Sequence, residues 1–402
     1  MKNCYYILFI SLIFNFGYSQ CQGDTNLDNT INIQDVILIV NHILNIELLE
    51  DEALNNADVN NDGGVNVIDI VAVTDLIIND LNQCEDSIVI NLSLEWEFQE
   101  DLSYFDYEEL RDIINNEIQD LNYLKGIVII HNGKIINEEY YDGSSISEIY
   151  NIWSVTKSYT STLIGQAIDQ GLIFDSDHTL DNFLPDYNED YLEVATLHDL
   201  LTMSSGYYDS FGYPYWVSAS TYELVSMPYS SPGYFYYNNS ACHINCHILY
   251  EGVGMTPIEF ANINLFPYLG INNPFWMNGY NGINDGSASL YLRLRDMVKL
   301  GQLFIQDGYA SENNQIISEE WINKATSSLI STGWPGLENY GYLWWIPQEG
   351  YLAYGYGGQF IAVIPERNLV IGTHSDIYSD QLYQTALLNI IYNQIAPLFE
   401  NE

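Results

Sequence analysis

Trp153-Ser154-Val155-Thr156-Lys157 runs directly into Ser158-Tyr159-Thr160-Ser161-Thr162-Leu163-Ile164-Gly165, and residues 158–171 carry apolar side chains at helical spacing. A Ser-x-x-Lys at the start of a helix places hydroxyl and amine on one face, with Cβ atoms ~5–6 Å apart. A neutral amine at that distance can take the serine proton and leave a nucleophilic oxygen. This is the only Ser-x-x-Lys in a chain with six lysines. The competing reading, a helix-capping serine beside an exposed lysine, has to account for what surrounds the motif.

Outward from that helix, both ends of the region carry strand pairs. Residues 126–130 and 134–140 flank His131-Asn132-Gly133, and Asn-Gly between two β-branched runs is a strong hairpin signal. Residues 360–364 and 369–373 form a second pair around Pro365-Glu366-Arg367-Asn368, and residues 379–394 then read as a helix. Residues 107–121 also have helical apolar spacing. An antiparallel sheet assembled from both ends of a domain, with helices between, is an α+β fold.

Two further motifs follow the serine. Ser231-Pro232-Gly233-Tyr234-Phe235-Tyr236-Tyr237-Asn238-Asn239 contains a Tyr-x-Asn at Tyr237 and Asn239, a phenol that can relay a proton and an amide that can bond substrate and lysine. Ala353-Tyr354-Gly355-Tyr356-Gly357-Gly358-Gln359 leads into the strand at Phe360, and its glycines let backbone lie close to a substrate.

Together these motifs resemble the penicillin-binding protein and class C β-lactamase family over about residues 122–395. The resemblance implies a β-lactamase/transpeptidase-like fold with Ser154 as nucleophile and Lys157 as its activating partner. It implies that Tyr237 and Asn239 complete the catalytic set, and that the backbone N–H groups of Ser154 and Gln359 form the oxyanion hole. Tyr356, Gly357 and Gly358 stand where the family has its Lys-Thr-Gly or His-x-Gly strand, so they are expected to line the substrate. Tyr356 replaces the usual cation there. Neutral esters or amides are therefore expected as substrates ahead of D-Ala-D-Ala peptides or β-lactams. His198 to Gly206, Gly286 to Ser289 with Arg295-Asp296, and Tyr340 to Trp345 also match and are read as framework.

Cys242-His243-Ile244-Asn245-Cys246-His247 invites a metal or haem reading, since His243 and His247 share a helical face. Haem attachment wants Cys-x-x-Cys-His, and here three residues separate the cysteines. A packed helix is the expectation, and no catalytic metal is assigned.

Before the hydrolase-like region, two stretches repeat at a spacing of 34 residues. Oxygen side chains recur in Asp24, Asn26, Asp28, Asn32 and Asp35, and again in Asp58, Asn60, Asp62, Asn66 and Asp69. The carbonyls of Thr30 and Gly64 fall at loop position 7 of these EF-hand-like loops, completing an oxygen set suited to Ca²⁺. Apolar helix-like segments follow at 36–44 and 70–78. Residues 21–84 resemble a dockerin, which implies a small helical calcium module and a cohesin-like receptor. Asn29 in place of the usual glycine, and Ile33-Gln34 and Val67-Ile68 at loop positions 10 and 11, depart from clostridial dockerins.

The expected organisation is a signal peptide at 1–20, the dockerin-like module at 21–84, a linker or first strand at 85–105, and the hydrolase domain at 106–402. The signal reading rests on Lys2, the apolar run from Tyr5 to Phe16 and the small residues near Ser19. Gln20 before Cys21 disfavours a lipid anchor. No later stretch reaches the ~20 apolar residues of a membrane span, so a secreted, periplasmic or cell-surface protein is expected, with a Cys21–Cys84 disulfide open to it. With 54 acidic and 10 basic residues and a formal charge of −44, nucleic acid is excluded as a partner. A binding protein with a decayed hydrolase site is the rival function.

Overall fold

The structure, a computed structural model of the chain, describes residues 22–27, 31–46, 48–49, 51–60, 63–78, 89–119, 121–208, 211–212 and 215–399. The signal-peptide region, Cys21, Cys84, Asp28, Thr30 and Asp62 lie outside the described residues. The chain divides into two compact units, Met1–Ile88 and Val89–Glu402.

In the small unit, α1 (Ile33–Ile43), α2 (Asp51–Ala57) and α3 (Val67–Ile78) surround buried Ile31, Ile39, Ala57 and Val73. Helix α1 begins three residues earlier than its apolar run because Asn32 caps it and Asp35 reaches back to the Asn32 N–H at 2.8 Å, a reciprocal capping box. Asp35 also accepts from the N–H groups of Thr25 (2.9 Å) and Asn26 (3.0 Å). Asp69 repeats the pattern with Asn60 (3.3 Å) and Asn66 (2.8 Å). The 34-residue sequence repeat is thus also a repeat of hydrogen bonds, each loop being tied to the first turn of its helix. Helix α2 carries no periodic signal long enough to be read from sequence.

The large unit is built on an eight-stranded antiparallel sheet. Its strands are β1 (Leu124–His131), β2 (Lys134–Tyr140), β3 (Ile330–Trp334), β4 (Leu337–Tyr340), β5 (Trp345–Ile346), β6 (Tyr351–Gly355), β7 (Gln359–Ile364) and β8 (Leu369–Ser375), in the order β2-β1-β8-β7-β6-β5-β4-β3. The β1–β2 turn uses Asn132 and Gly133, both at positive φ (48° and 72°), the left-handed pair that a two-residue hairpin requires. Strand β8 inserts between β1 and β7, so the two ends of the domain pair within one sheet. Strands β7 and β8 are buried at every position, which fits their continuous apolar runs.

Helices cover the sheet. Helix α4 (Tyr107–Ile113) continues as a π-turn through Ile114–Ile118 and packs against the carboxy-terminal helical segment. On another part of the sheet, Val298, at the turn between two short helices, and Gly301, in the second of them, press on β7 and β8. A Cβ on Gly372 would sit 2.1 Å from Val298, and one on Gly301 would sit 2.8 Å from Ile361 and Val370. Residues 89–105 lie along the same unit: Leu92 N–H bonds Ala310 O (2.9 Å), the Trp96 indole bonds Arg295 O (2.9 Å), and Ile135 N–H bonds Glu97 O (2.8 Å) beside β2. This short segment covers what would otherwise be an open sheet edge.

Candidate active site

Helix α5 (Thr156–Asp169) is polar in sequence yet buried almost throughout. Several of its hydroxyls are satisfied by carbonyls: Thr160 and Thr162 donate to those of Thr156 and Ser158, and Ser158 donates to Leu343 O at 2.9 Å, whereas the buried Ser161 hydroxyl has no hydrogen-bond partner among the described residues. Such bonding allows a serine- and threonine-rich helix to occupy a domain interior. A 3₁₀ turn at Trp153–Val155 leads into it. Asn151 Oδ1 accepts the Trp153 N–H at 2.9 Å, and Trp153 adopts φ 49°. A non-glycine residue at positive φ directly before Ser154 marks a backbone constrained by its surroundings.

Lys157 is 1% exposed. Its Nζ lies 3.0 Å from Ser154 Oγ, 2.7 Å from Asn239 Oδ1 and 2.7 Å from the Ser287 carbonyl oxygen. The last two groups can only accept, so they engage two N–H bonds in either protonation state of the amine. The remaining tetrahedral position, an N–H or a lone pair, faces Ser154. A proton can pass along the 3.0 Å line without any side chain moving. Asn239 opens α6 (Asn239–Val253), capped by Asn238, whose side chain accepts from Ala241 N–H and donates to Tyr207 O. The half-buried Tyr237 ring lies 4.8 Å from Lys157 Nζ and stacks on Trp345 at 5.7 Å. Ser154, Lys157, Tyr237 and Asn239 are therefore gathered at one place.

The third motif forms the turn between β6 and β7. A Cβ on Gly355 would sit 2.5 Å from Ile152 O, so the end of β6 presses against the turn that carries Ser154. Gly357 and Gly358 have φ of 84° and 98°, a region closed to other residues without strain. Gln359 pairs across the turn with Gly355. Its side chain points into the sheet, donating to Ser375 O at 2.6 Å and accepting from Ser375 N–H at 3.2 Å. Tyr356 is 56% exposed and meets Trp153 edge-on at 5.6 Å.

Ser287 belongs by sequence to a framework stretch, yet its carbonyl is one of the three groups holding Lys157. A backbone acceptor leaves no signature of its own; the hydroxyl-rich Asp285 to Ser289 stretch is the sole sequence signal nearby. The Cys-His segment is a buried face of α6. Cys242 and Cys246 are free thiols, and burial pushes Cys242 up to about 12. Burial also holds the His243 and His247 imidazoles below their ordinary value. Among the described residues, no group of three or more His, Cys, Asp or Glu side chains is placed to hold a metal. In the small unit, Asp35 and Asp69 are fully buried at the ends of loops whose other oxygen-bearing side chains are further aspartates and asparagines, Asp24, Asn26, Asp28 and Asn32 in the first and Asp58, Asn60, Asp62 and Asn66 in the second. Hard oxygen donors around a buried carboxylate fit calcium.

This fold, with a serine one helical turn before a buried lysine, is that of the beta-lactamase-like serine hydrolases. The chain belongs to the Beta-lactamase family, whose model matches residues 123–380, and the Dockerin type I domain model matches residues 22–78. An uncharacterised protein of Alkalihalophilus pseudofirmus is 22% identical over 288 residues, 61% of this chain and 81% of the relative. Among solved structures, a protein described as a 6-aminohexanoate-dimer hydrolase from Bacillus anthracis matches with TM-score 0.63 and 21% identity, covering 77% of this chain and 89% of its own. A penicillin-binding protein homologue from Pyrococcus abyssi matches with TM-score 0.56 and 18% identity, covering 73% and 79%. A class C β-lactamase from Rhodobacter sphaeroides matches with TM-score 0.54 and 17% identity, covering 72% and 98%.

Proposed function

We propose that the protein is an exported serine hydrolase that forms an acyl-enzyme on Ser154 and turns over small neutral esters or amides. The observation that carries this reading is the Ser154–Lys157 hydrogen bond, with the other two partners of the amine already fixed. Ser154 Oγ attacks the substrate carbonyl while its proton passes to Lys157. The main-chain N–H groups of Ser154 and Gln359 receive the oxyanion. Tyr237 relays the proton to the departing alcohol or amine, leaving the acyl group on Ser154. Water then attacks the ester, the acid departs and Ser154 regains its proton.

The distribution of cations supports a neutral substrate. Lys125 pairs with Asp142, Lys134 with Glu97, Arg293 with Asp296, Arg295 with Glu138, Lys324 with Asp177 and Arg367 with Glu349. Lys299 donates to the carbonyls of Leu92 and Leu94, and Arg111 is exposed on α4. Tyr356, at the motif position where a carboxylate-binding cation would stand, offers a phenol. A protein of the same fold is described as a 6-aminohexanoate-dimer hydrolase, which puts linear amides among the substrates to try. The test compares kcat/KM for a short-chain nitrophenyl ester, a linear amide, nitrocefin and a D-Ala-D-Ala peptide, with Ser154→Ala as control. Efficient lactam or peptide cleavage with poor ester and amide cleavage would refute the substrate assignment.

For the small unit, Asp24, Asn26, Asp28, the Thr30 carbonyl, Asn32 and Asp35 would hold one Ca²⁺, and Asp58, Asn60, Asp62, the Gly64 carbonyl, Asn66 and Asp69 a second. Dockerin domains bind cohesins, so the unit would tether the hydrolase to a cohesin-like receptor. Ile33 and Val67, and likewise Ile37 and Val71, are exposed apolar side chains at repeat-related positions on α1 and α3, with exposed Ile68 beside Val67, a surface suited to such docking.

A further inference from the structure

The Ser287 carbonyl that grips Lys157 belongs to a loop, Asp285-Gly286-Ser287-Ala288-Ser289, held from both sides of that carbonyl by one buried carboxylate. Asp285 Oδ1 accepts from the Ser287 N–H (3.0 Å), the Ser287 hydroxyl (2.7 Å) and the Trp216 indole (3.1 Å). Its Oδ2 accepts from the Ser289 hydroxyl at 2.7 Å. Four donors on one fully buried carboxylate leave the intervening peptide little freedom.

The rest of the loop is fixed by the two helices that supply the reacting side chains. Gly286 O accepts from Thr160 Oγ1 of α5 at 2.9 Å, and Gly286 N–H donates to His243 Nδ1 of α6 at 3.3 Å. A Cβ on Gly286 would sit 2.4 Å from Cys246 Sγ, so the loop is wedged against α6. With Nδ1 of the neutral His243 accepting, its proton sits on Nε2, facing His247 Nε2 at 3.3 Å, and His247 Nδ1–H meets Thr221 Oγ1 at 2.7 Å.

We propose that Asp285 is a positioning residue for the reaction: by clamping Ser287 and Ser289 it aims the Ser287 carbonyl at Lys157, and so keeps the third face of that amine on Ser154. This rests on the assignment of Ser154 and Lys157 as nucleophile and base. Without the clamp the amine has one acceptor fewer in place and swings within its pocket. Misplacement by about 1 Å in such a reacting pair costs up to about 100-fold.

The test measures, in the full chain, the fluorophosphonate acylation rate and the kcat and KM for a nitrophenyl ester, each per active site. Asp285→Ala should acylate about 10- to 100-fold more slowly, with kcat falling and KM within about threefold of wild type. Asp285→Asn, whose oxygen can keep Ser287 while its NH₂ group meets Ser289 Oγ, should recover most of the rate. If Asp285→Ala does not fold, the Ser287→Ala/Ser289→Ala protein, which retains the carbonyl but loses both hydroxyl contacts, should still lose about 10-fold in kcat. Wild-type acylation rates in Asp285→Ala, or in the double variant where Asp285→Ala is unfolded, overturn the proposal and leave the mechanism standing. A wild-type enzyme whose labelling survives Ser154→Ala overturns both.

Discussion

Replacing Lys157 by alanine separates the reactive role of the lysine from its place in the fold. The substitution removes the group 3.0 Å from Ser154 Oγ, and loss of a general base costs about 10²- to 10⁴-fold. The lower figure corresponds to about 2.7 kcal/mol on the barrier. The structural cost has opposing parts. Asn239 Oδ1 and Ser287 O lose a partner at 2.7 Å each, and an unsatisfied buried acceptor costs about 1–3 kcal/mol. Against that, the fold no longer has to bury an amine that is 1% exposed, which is itself unfavourable. The net change in stability should be about 1–3 kcal/mol, or a Tm lower by several degrees. Single-turnover fluorophosphonate labelling, followed at a temperature where both proteins are folded, should slow by at least ~100-fold. Labelling of Lys157→Ala within threefold of wild type would refute the assignment of Lys157 as base.

Ser154→Ala should abolish turnover while leaving the thermal unfolding profile close to wild type, because among the described residues the Ser154 hydroxyl is hydrogen-bonded only to Lys157; measurable hydrolysis by the purified variant would reject the acyl-enzyme route. Chelation of calcium should loosen the small unit, as judged by hydrogen exchange of its helices, while ester hydrolysis persists, since the loop oxygens lie outside the catalytic set; parallel loss of both would show the units to be coupled. Stability should also fall on acidification. Burial pulls the His374 imidazole from 6.5 to about 3, so between pH 6.5 and about 3 the unfolded chain takes a proton that the folded one refuses. The loss amounts to about 3–5 kcal/mol at the acid end of that window and is absent above pH 6.5. Urea unfolding at pH 7 and pH 4 should show a smaller acid loss in His374→Gln than in wild type, and an equal loss would refute the assignment.

Much of this arrangement was legible because the signals are local. Ser154 and Lys157 are one helical turn apart, so their meeting follows from helical geometry once the helix is recognised. Asn132-Gly133 dictates its hairpin through the positive φ that only such residues adopt readily. The repeat of oxygen donors 34 residues apart became a repeat of hydrogen bonds on Asp35 and Asp69. The short strands β3, β4 and β5, of two to five residues, carry too few alternations to announce themselves. The helices at residues 107–121 and 379–394 were readable as helices, but the π-turns at Ile114–Ile118 and Ile391–Ile395 depend on packing and have no periodic signature.

The sequence alone determined which side chains could do chemistry and which of them, near neighbours on one helix or one turn, must face each other. Tertiary structure decided the rest of the site. Asn239 reaches Lys157 across 82 residues and Ser287 across 130, distances at which chain periodicity carries no information about direction. That Ser287 contributes a carbonyl rather than its hydroxyl could come only from the folded loop, because every residue has a carbonyl and burial against α5 and α6 selects the one that points at the amine.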